Sequence, residues 1–505
     1  MTTYTKKVIH GAGLVFIMSI SAALVSYLTR MILARSLSPS EYGLFYAVFT
    51  FVLFFLFFRD LGMGNALAKY IPEFQIKKRY DAIKTAIASA IIIQLLTTFI
   101  LCLFFFLSAD FLSKNYFKSP EAALILKILI FYAIGSIFFR TWKSIFQGFQ
   151  NMKMYSLFEF LKNSMFLIFV LLFLKLNLGF YAPALSYSVL TYLIALGLLP
   201  VLLRTFPYFK YKVKNFRPIT KKIWLFALPV FLTSIGGRLI SCIDTLILTY
   251  FGTLEEVGIY NVILPSTMIF LYFGNSISAT IFPMVSELWA KKDKKRLFGG
   301  LKLMHRYSFV IIIPAALTAI SFSQLFIKFF FGKEYLGNQI IIFGNSFFTG
   351  SLSLQILMIG MLFFVVAGIN HNIISAVGKP GIVTKIILFS ALINFVANII
   401  LIPRFSIVGA AFATSLSYLT ALFISTHKLT GIIKVGFPVS IWMKLVFAGI
   451  VFVLAINYTK NLFNLNPWVE LIVSSVLAGI IYIIVIYLLR IIDIKEIKHY
   501  ISLAI

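Results

Sequence analysis

Residues 30–49 read RMILARSLSPSEYGLFYAVF, and residues 244–264 read DTLILTYFGTLEEVGIYNVIL. Each holds the end of one apolar run, a short polar turn and the start of the next. Gly43 matches Gly258 and Phe45 matches Tyr260, at an offset near 214. Six apolar runs separate the copies, an even number, so both would keep one orientation. That is a parallel repeat about an axis along the membrane normal, and two such lobes facing each other would enclose a transporter-like cavity.

Outward from the repeat, the chain has 505 residues, 61% of them hydrophobic and 12% charged, with a mean hydropathy of +0.98. Soluble domains are about 45–50% apolar and about 25% charged, which excludes that class. A membrane span takes about 20 apolar residues. Runs of that kind occupy residues 11–36, 42–64, 82–108, 122–148, 155–175, 181–203, 223–250, 258–286, 303–328, 340–369, 382–402, 406–427, 440–458 and 468–490. The expected fold is an all-α polytopic membrane protein of about fourteen transmembrane helices. Its division would be an N-terminal lobe over 1–203, a basic linker over 204–222, a second lobe over 223–436, and two extra helices with a tail over 437–505.

The formal net charge is +29. With the N-terminus in the cytoplasm, about 31 basic residues fall in cytoplasmic segments and about 8 on the other side, a strong positive-inside pattern. Both termini are therefore expected in the cytoplasm of a cell that carries the chain in its plasma membrane. The basic charge is accounted for by topology and by anionic lipid headgroups, without nucleic acid. Lys6, Lys7 and His10 precede an apolar stretch too long for a signal-peptide core, which reads as a retained first helix. Cys102 and Cys242 each lie in an apolar run and form no framework for disulfides.

Charges inside spans carry the functional reading, because Arg or Lys at the bilayer centre costs about 2.5–3.5 kcal/mol on the lenient scale. Arg30, Arg59 and Arg238 are the candidates for a phosphate headgroup, since guanidinium forks offer paired donors at fixed charge. Arg30 could instead snorkel to the outer interface. Asp244 reads as a gating or ion-coupling carboxylate, or as a structural hydrogen-bond acceptor. Asp60, beside Arg59 and before Gly62, reads as a gate latch or an interfacial pair. Glu159 and Lys162, at i and i+3, read as a local ion pair near an entrance. Pro183, Pro229, Pro265, Pro283 and Pro314, with Gly236 and Gly237, favour helices that bend.

Signatures of catalysis are missing from the sequence. His10, His305, His371, His427 and His499 have no metal-ligand spacing, and no phosphate-binding lysine loop is present, so the reading calls for no enzyme, metal or cofactor.

Residues 30–49, the following RDLGMGNALAKYIPEF over 59–74, and FQGFQNMKMYS over 146–156 resemble the polysaccharide transporter family of the multidrug/oligosaccharidyl-lipid/polysaccharide exporter superfamily. So do YNVILPSTMIFLYFGNSISATIFPMVSEL over 260–288 and the long stretch 375–418. These are the O-antigen and lipid-linked oligosaccharide flippases. The resemblance implies fourteen helices in two lobes, and transport of a polyprenyl-linked glycan from the cytoplasmic to the outer leaflet by alternating access. Cationic cavities are a feature of these flippases, in keeping with Arg30 and Arg238. Drug and cation antiporters of the superfamily often carry an acid in helix one, where this chain has Arg30.

The sequence therefore reads as a lipid-linked oligosaccharide flippase, for polysaccharide, surface-glycan or glycoprotein biosynthesis. Its partners would be the glycan lipid, membrane lipids and, as a monomer, glycan-assembly enzymes. An ion-coupled small-molecule antiporter that depends on Asp244 is the alternative, and a membrane glycosyltransferase would be expected to place acidic pairs in an external loop, whereas Asp110 and Glu121 are eleven apart and Glu255 and Glu256 are the only adjacent pair.

Overall fold

A computed structural model of the chain describes residues 3–271, 282, 284–342, 344–433, 439–462 and 466–491. The first helices are α1 (Thr3–Ser36), α2 (Pro39–Asp60), α3 (Met63–Ile76), α4 (Tyr80–Asn115), α5 (Ala122–Gly148) and α6 (Met152–Lys175). They are followed by α7 (Ala182–Gly197), α8 (Leu199–Thr205), α9 (Phe216–Phe251) and α10 (Leu254–Thr267). Further on come α11 (Lys294–Ser321), α12 (Ser323–Phe330), the strands β1 (Gln339–Ile342) and β2 (Asn345–Phe348), α13 (Thr349–Ala376), α14 (Pro380–Ile433), α15 (Val439–Leu462) and α16 (Pro467–Leu488).

Among the described residues, eleven helices are long and apolar enough to cross a membrane, or twelve if the bent pair Arg306–Ser321 and Ser323–Phe330 is one span. The protein is nearly all helical, with one correction to the all-α expectation. Where a span was expected to begin at 340, Gln339–Ile342 pairs antiparallel with Asn345–Phe348, and Gly344 takes a φ of 79°. Glycine takes that left-handed backbone at no steric cost, and the helix begins only at Thr349. Pro183 is also not a span breaker. It sits in the first turn of α7, where its missing N–H has no intrahelical partner to lose. Pro229, Pro265 and Pro314 do lie inside helices, whereas Pro283 is outside the described residues.

The chain forms two compact units, Met1–Val262 and Ile263–Ile505. In the first, helix starts are fixed by polar caps and crossings by small residues. Ser38 and Glu41 make a reciprocal capping box: Ser38 N donates to Glu41 Oε2 at 2.8 Å and Glu41 N to Ser38 Oγ at 3.3 Å. The second repeat copy builds the same box. Thr253 N donates to Glu256 Oε2 at 2.9 Å, and Glu256 N to Thr253 Oγ1 at 3.3 Å. Two residues beyond each glutamate stands a glycine, Gly43 or Gly258, and there the two helix starts cross.

In the second unit, α13 and α14 are joined by buried amides. Asn370 Nδ2 donates to Ser425 Oγ and to Thr426 Oγ1, each at 3.1 Å, and Asn394 Nδ2 to Thr414 Oγ1 at 3.3 Å. Such bonds join helices where lipid gives no hydrophobic drive. The α14 helix breaks at Ser406, which takes φ 48° and ψ −127°. The last two helices, α15 and α16, bury Leu445, Phe452, Ile456 and Tyr482 in a core shared with Ile313 and Phe322.

Candidate functional site

The first unit holds a cavity of about 320 Å³. Its wall is polar because each surrounding helix turns one polar stripe inward. Tyr132, Ser136, Arg140, Lys143 and Gln147 come from α5; Tyr155, Glu159 and Lys162 from α6; Tyr187 and Thr191 from α7. Steps of three and four residues put each set on one helix face. Asp60, Gly64 and Asn65 are supplied by the break between α2 and α3. That break is a left-handed pair, Leu61 at φ 43° and Gly62 at φ 79°. A Cβ on Gly62 would collide with the carbonyl oxygen of Ala227, so the position admits only glycine without a shift of α9.

Three cations, Arg140, Lys143 and Lys162, face two carboxylates, Asp60 and Glu159. Glu159 bridges both lysines, Lys162 Nζ at 2.7 Å and Lys143 Nζ on its other oxygen. No carboxylate pairs with Arg140 among the described residues. Behind the wall lies Arg59, 1% exposed. Its Nη1 donates to Ser136 Oγ at 2.7 Å and to Ala133 O at 2.8 Å, while Nε and Nη2 have no hydrogen-bond partner. This buried cation is hydrogen-bonded to neutral acceptors, one of which, Ser136, is part of the cavity wall. The arrangement suits a bound anion with several oxygens.

In the cavity wall, Tyr187 is part of a stack of rings. Tyr187 lies between Phe166 at 4.1 Å and Phe49 at 4.5 Å between centroids. From Phe49 the stack passes to Phe45 at 5.3 Å and Tyr46 at 5.0 Å. Over Tyr46, 4.9 Å from its centroid, sits the Arg30 guanidinium. Arg30 Nη1 donates to Asn261 O at 3.2 Å, so the two repeat copies meet at this arginine. Close in sequence, Asp244 is 1% exposed and its Oδ2 accepts from Tyr260 Oη at 2.7 Å.

Of the residues chosen from sequence, the structure brings Asp60 to the cavity and sets Arg59 one side chain behind it. Arg30 and Asp244 lie in the repeat segments, and neither lines the cavity. Arg238, on α9 beside Gly236 and Gly237, is half-buried; its Nε is buried without a hydrogen-bond partner, and it does not line the cavity either. Arg140 and Lys143 are not among the residues chosen from sequence, because near the end of a span a basic residue also satisfies the positive-inside pattern. The signal was in the spacing of Tyr132, Ser136, Arg140, Lys143 and Gln147 along an otherwise apolar run. The expected Glu159–Lys162 pair is present, with Lys143 as a third member.

Comparison with known proteins places this geometry among relatives. Residues 8–289 match the family model described as polysaccharide biosynthesis protein. Over 515 aligned residues the chain is 30% identical to an uncharacterized membrane protein of Methanocaldococcus jannaschii, MJ1068, covering 99% of both. It is 29% identical over 255 residues to the probable low-salt glycan biosynthesis flippase Agl15 of Haloferax volcanii, half of each chain. Among solved structures, the lipid II flippase MurJ in an inward closed conformation superimposes with a TM-score of 0.72 at 17% identity, covering 93% of this chain and 97% of that one. An inward-facing multidrug resistance transporter of the MATE family gives 0.62 at 15% identity, with 82% and 96% covered.

Proposed function

The chain belongs to the polysaccharide biosynthesis protein family, and from that premise we propose that it is a flippase for a polyprenyl-phosphate- or polyprenyl-pyrophosphate-linked oligosaccharide. Transport runs from the cytoplasmic to the outer leaflet of the plasma membrane by alternating access. The observation that carries this reading is the net-cationic cavity, in which Arg140 has no carboxylate partner among the described residues and Arg59 lies behind Ser136. The phosphate enters against Arg140, Lys143 and Lys162, the sugars occupy the polar stripe, and the polyprenyl chain stays in lipid. Arg30 receives the headgroup beyond the aromatic stack, and Arg238 serves it from α9. Asp60 acts at the gate and Asp244 couples an ion.

The same reading takes the architecture as fourteen helices in two six-helix lobes, 1–203 and 223–436, joined by the 204–222 linker, with two added helices over 437–505. Support comes from the 54 residues of Pro380–Ile433, enough for two spans, and from the matching capping boxes of the repeat. The protein works as a monomer alongside glycan-assembly enzymes, with both termini in the cytoplasm, and no step of this reading uses a catalytic residue or a cofactor.

Translocation of a fluorescent polyprenyl-pyrophosphate oligosaccharide in proteoliposomes tests it, with wild type compared against Arg140→Ala and Arg30→Ala. Loss of transport in folded variants supports the reading. Efflux of a soluble cation, with no glycan lipid moved, overturns it in favour of an ion-coupled antiporter.

A further inference from the structure

Two further cavities lie in the same unit, the first of them on the opposite side of α5. Trp142 and Ile145 face one way on that helix, and Arg140, Lys143 and Gln147 the other. The first of the pair is an apolar slot of about 210 Å³, lined by Ile87, Ile91, Trp142, Leu199, Leu203 and Phe209 among others, with no charged side chain in its wall. Trp142 Nε1 donates to Ala195 O at 3.1 Å, so the indole has no polar need left to meet in the slot. The second is a pocket of about 270 Å³ bordered by Lys78, Arg79, Asp81 and Lys214. Asp81 is already engaged, with Lys214 Nζ at 3.1 Å and Lys212 N at 3.0 Å. Lys78 and Arg79 have no carboxylate partner among the described residues.

Lys84 stands between the two. Its Nζ donates to Tyr211 O at 2.7 Å and lies 4.6 Å from the Tyr208 ring centroid. Tyr208 belongs to the slot and Tyr211 to the pocket, while the Phe206 and Tyr211 rings stack at 5.4 Å. Apolar slot and cationic pocket are thus neighbours, with Lys84 and the stacked Phe206 and Tyr211 rings between them, at the end of the helices that carries the basic linker. We infer that together they bind a membrane lipid with an anionic phosphate headgroup: an acyl chain in the slot, the phosphate on Lys84 and Arg79. A soluble anion would use only the pocket. A peptide would leave backbone polar groups unmet in the slot. Because the slot and the polar cavity sit on opposite faces of α5, this lipid is a resident and not cargo. It fastens the linker to α4, beside the Lys214 N to Thr85 Oγ1 bond of 3.1 Å and the Ser89–Thr220 hydroxyl bond of 2.7 Å.

Of the five tryptophans, Trp142 reports on the slot directly. A chain keeping only Trp142, the others replaced by Phe, is reconstituted in vesicles of phosphatidylcholine with either brominated phosphatidylglycerol or brominated phosphatidylcholine. Quenching should give phosphatidylglycerol a relative association constant about thirty-fold higher, as about 1 kcal/mol from each of Lys84 and Arg79 implies. Lys84→Gln and Arg79→Gln should each reduce that preference, and Lys84→Arg should keep it. Native mass spectrometry of the unaltered chain from the same vesicles should show retained phosphatidylglycerol, and less of it in Arg79→Gln, a change at an exposed position. Equal quenching by both lipids, or a preference that survives both glutamine variants, overturns the inference.

Discussion

Gly43 and Gly258 meet backbone to backbone: a Cβ on Gly43 would stand 2.7 Å from Gly258 N and would overlap Leu254 O, while one on Gly258 would overlap Pro39 O. The contact joins the two repeat copies at equivalent positions. Alanine at either site must push the helix starts apart, and overpacking of this kind costs about 1–3 kcal/mol. Gly43→Ala and Gly258→Ala are each expected to lower the thermal melting midpoint. Because either alanine already opens the same crossing, the double variant should lose less than the sum, which a melting series on all three checks.

Arg59 separates function from stability. Its charge is buried against neutral acceptors, and replacing such a cation by an apolar side chain is often neutral or stabilising. Arg59→Met is therefore expected to melt no lower than wild type and yet transport an anionic glycan lipid about ten-fold more slowly, a loss of about 1.4 kcal/mol. A variant that transports normally removes Arg59 from the headgroup field.

Glu159 holds two lysines that would otherwise meet the substrate. Glu159→Gln should lower the apparent KM for the glycan lipid several-fold and slow its release, whereas Arg140→Ala should raise KM about ten-fold. Initial rates across substrate density in vesicles distinguish the two, and raised salt should shrink both effects.

Asp244 accepts a hydrogen bond from Tyr260 away from the cavity wall. Asp244→Asn should leave binding of the glycan lipid unchanged and abolish the response of transport to an imposed proton or sodium gradient. Binding and flux measured on one preparation test both halves.

Ser406 occupies backbone space that favours glycine, at φ 48° and ψ −127°. Ser406→Gly is expected to raise stability by about 1 kcal/mol and Ser406→Val to lower it by more. Denaturation midpoints of the two variants check the sign.

How far the sequence could be read depended on which physical signal ruled each segment. Helix α5 runs Ala122–Gly148, the bounds its apolar run implied, because length and hydropathy alone decide a span. The same helix hid the site. Arg140 and Lys143 lie near its end, where basic residues serve both the positive-inside pattern and an inward-facing wall, and composition does not tell these apart. The strand pair Gln339–Ile342 and Asn345–Phe348 was missed because Ile340, Ile341 and Ile342 satisfy a hydropathy window as readily as a span does, while the turn signal rests on Gly344 alone. Arg59 was legible as a membrane-buried charge. That it reaches Ser136 and Ala133 depended on how α2 packs against α5, which no local pattern carries.

Gly62, pressed against the Ala227 carbonyl, makes the floor of the cavity and the seventh apolar helix parts of one linkage. Any tilt of α9 presses on the left-handed corner between α2 and α3, and so on Asp60 and Asn65. The corner is placed as a bearing would be: a swing of one rod would reach the charge lining of a chamber whose wall the rod does not form.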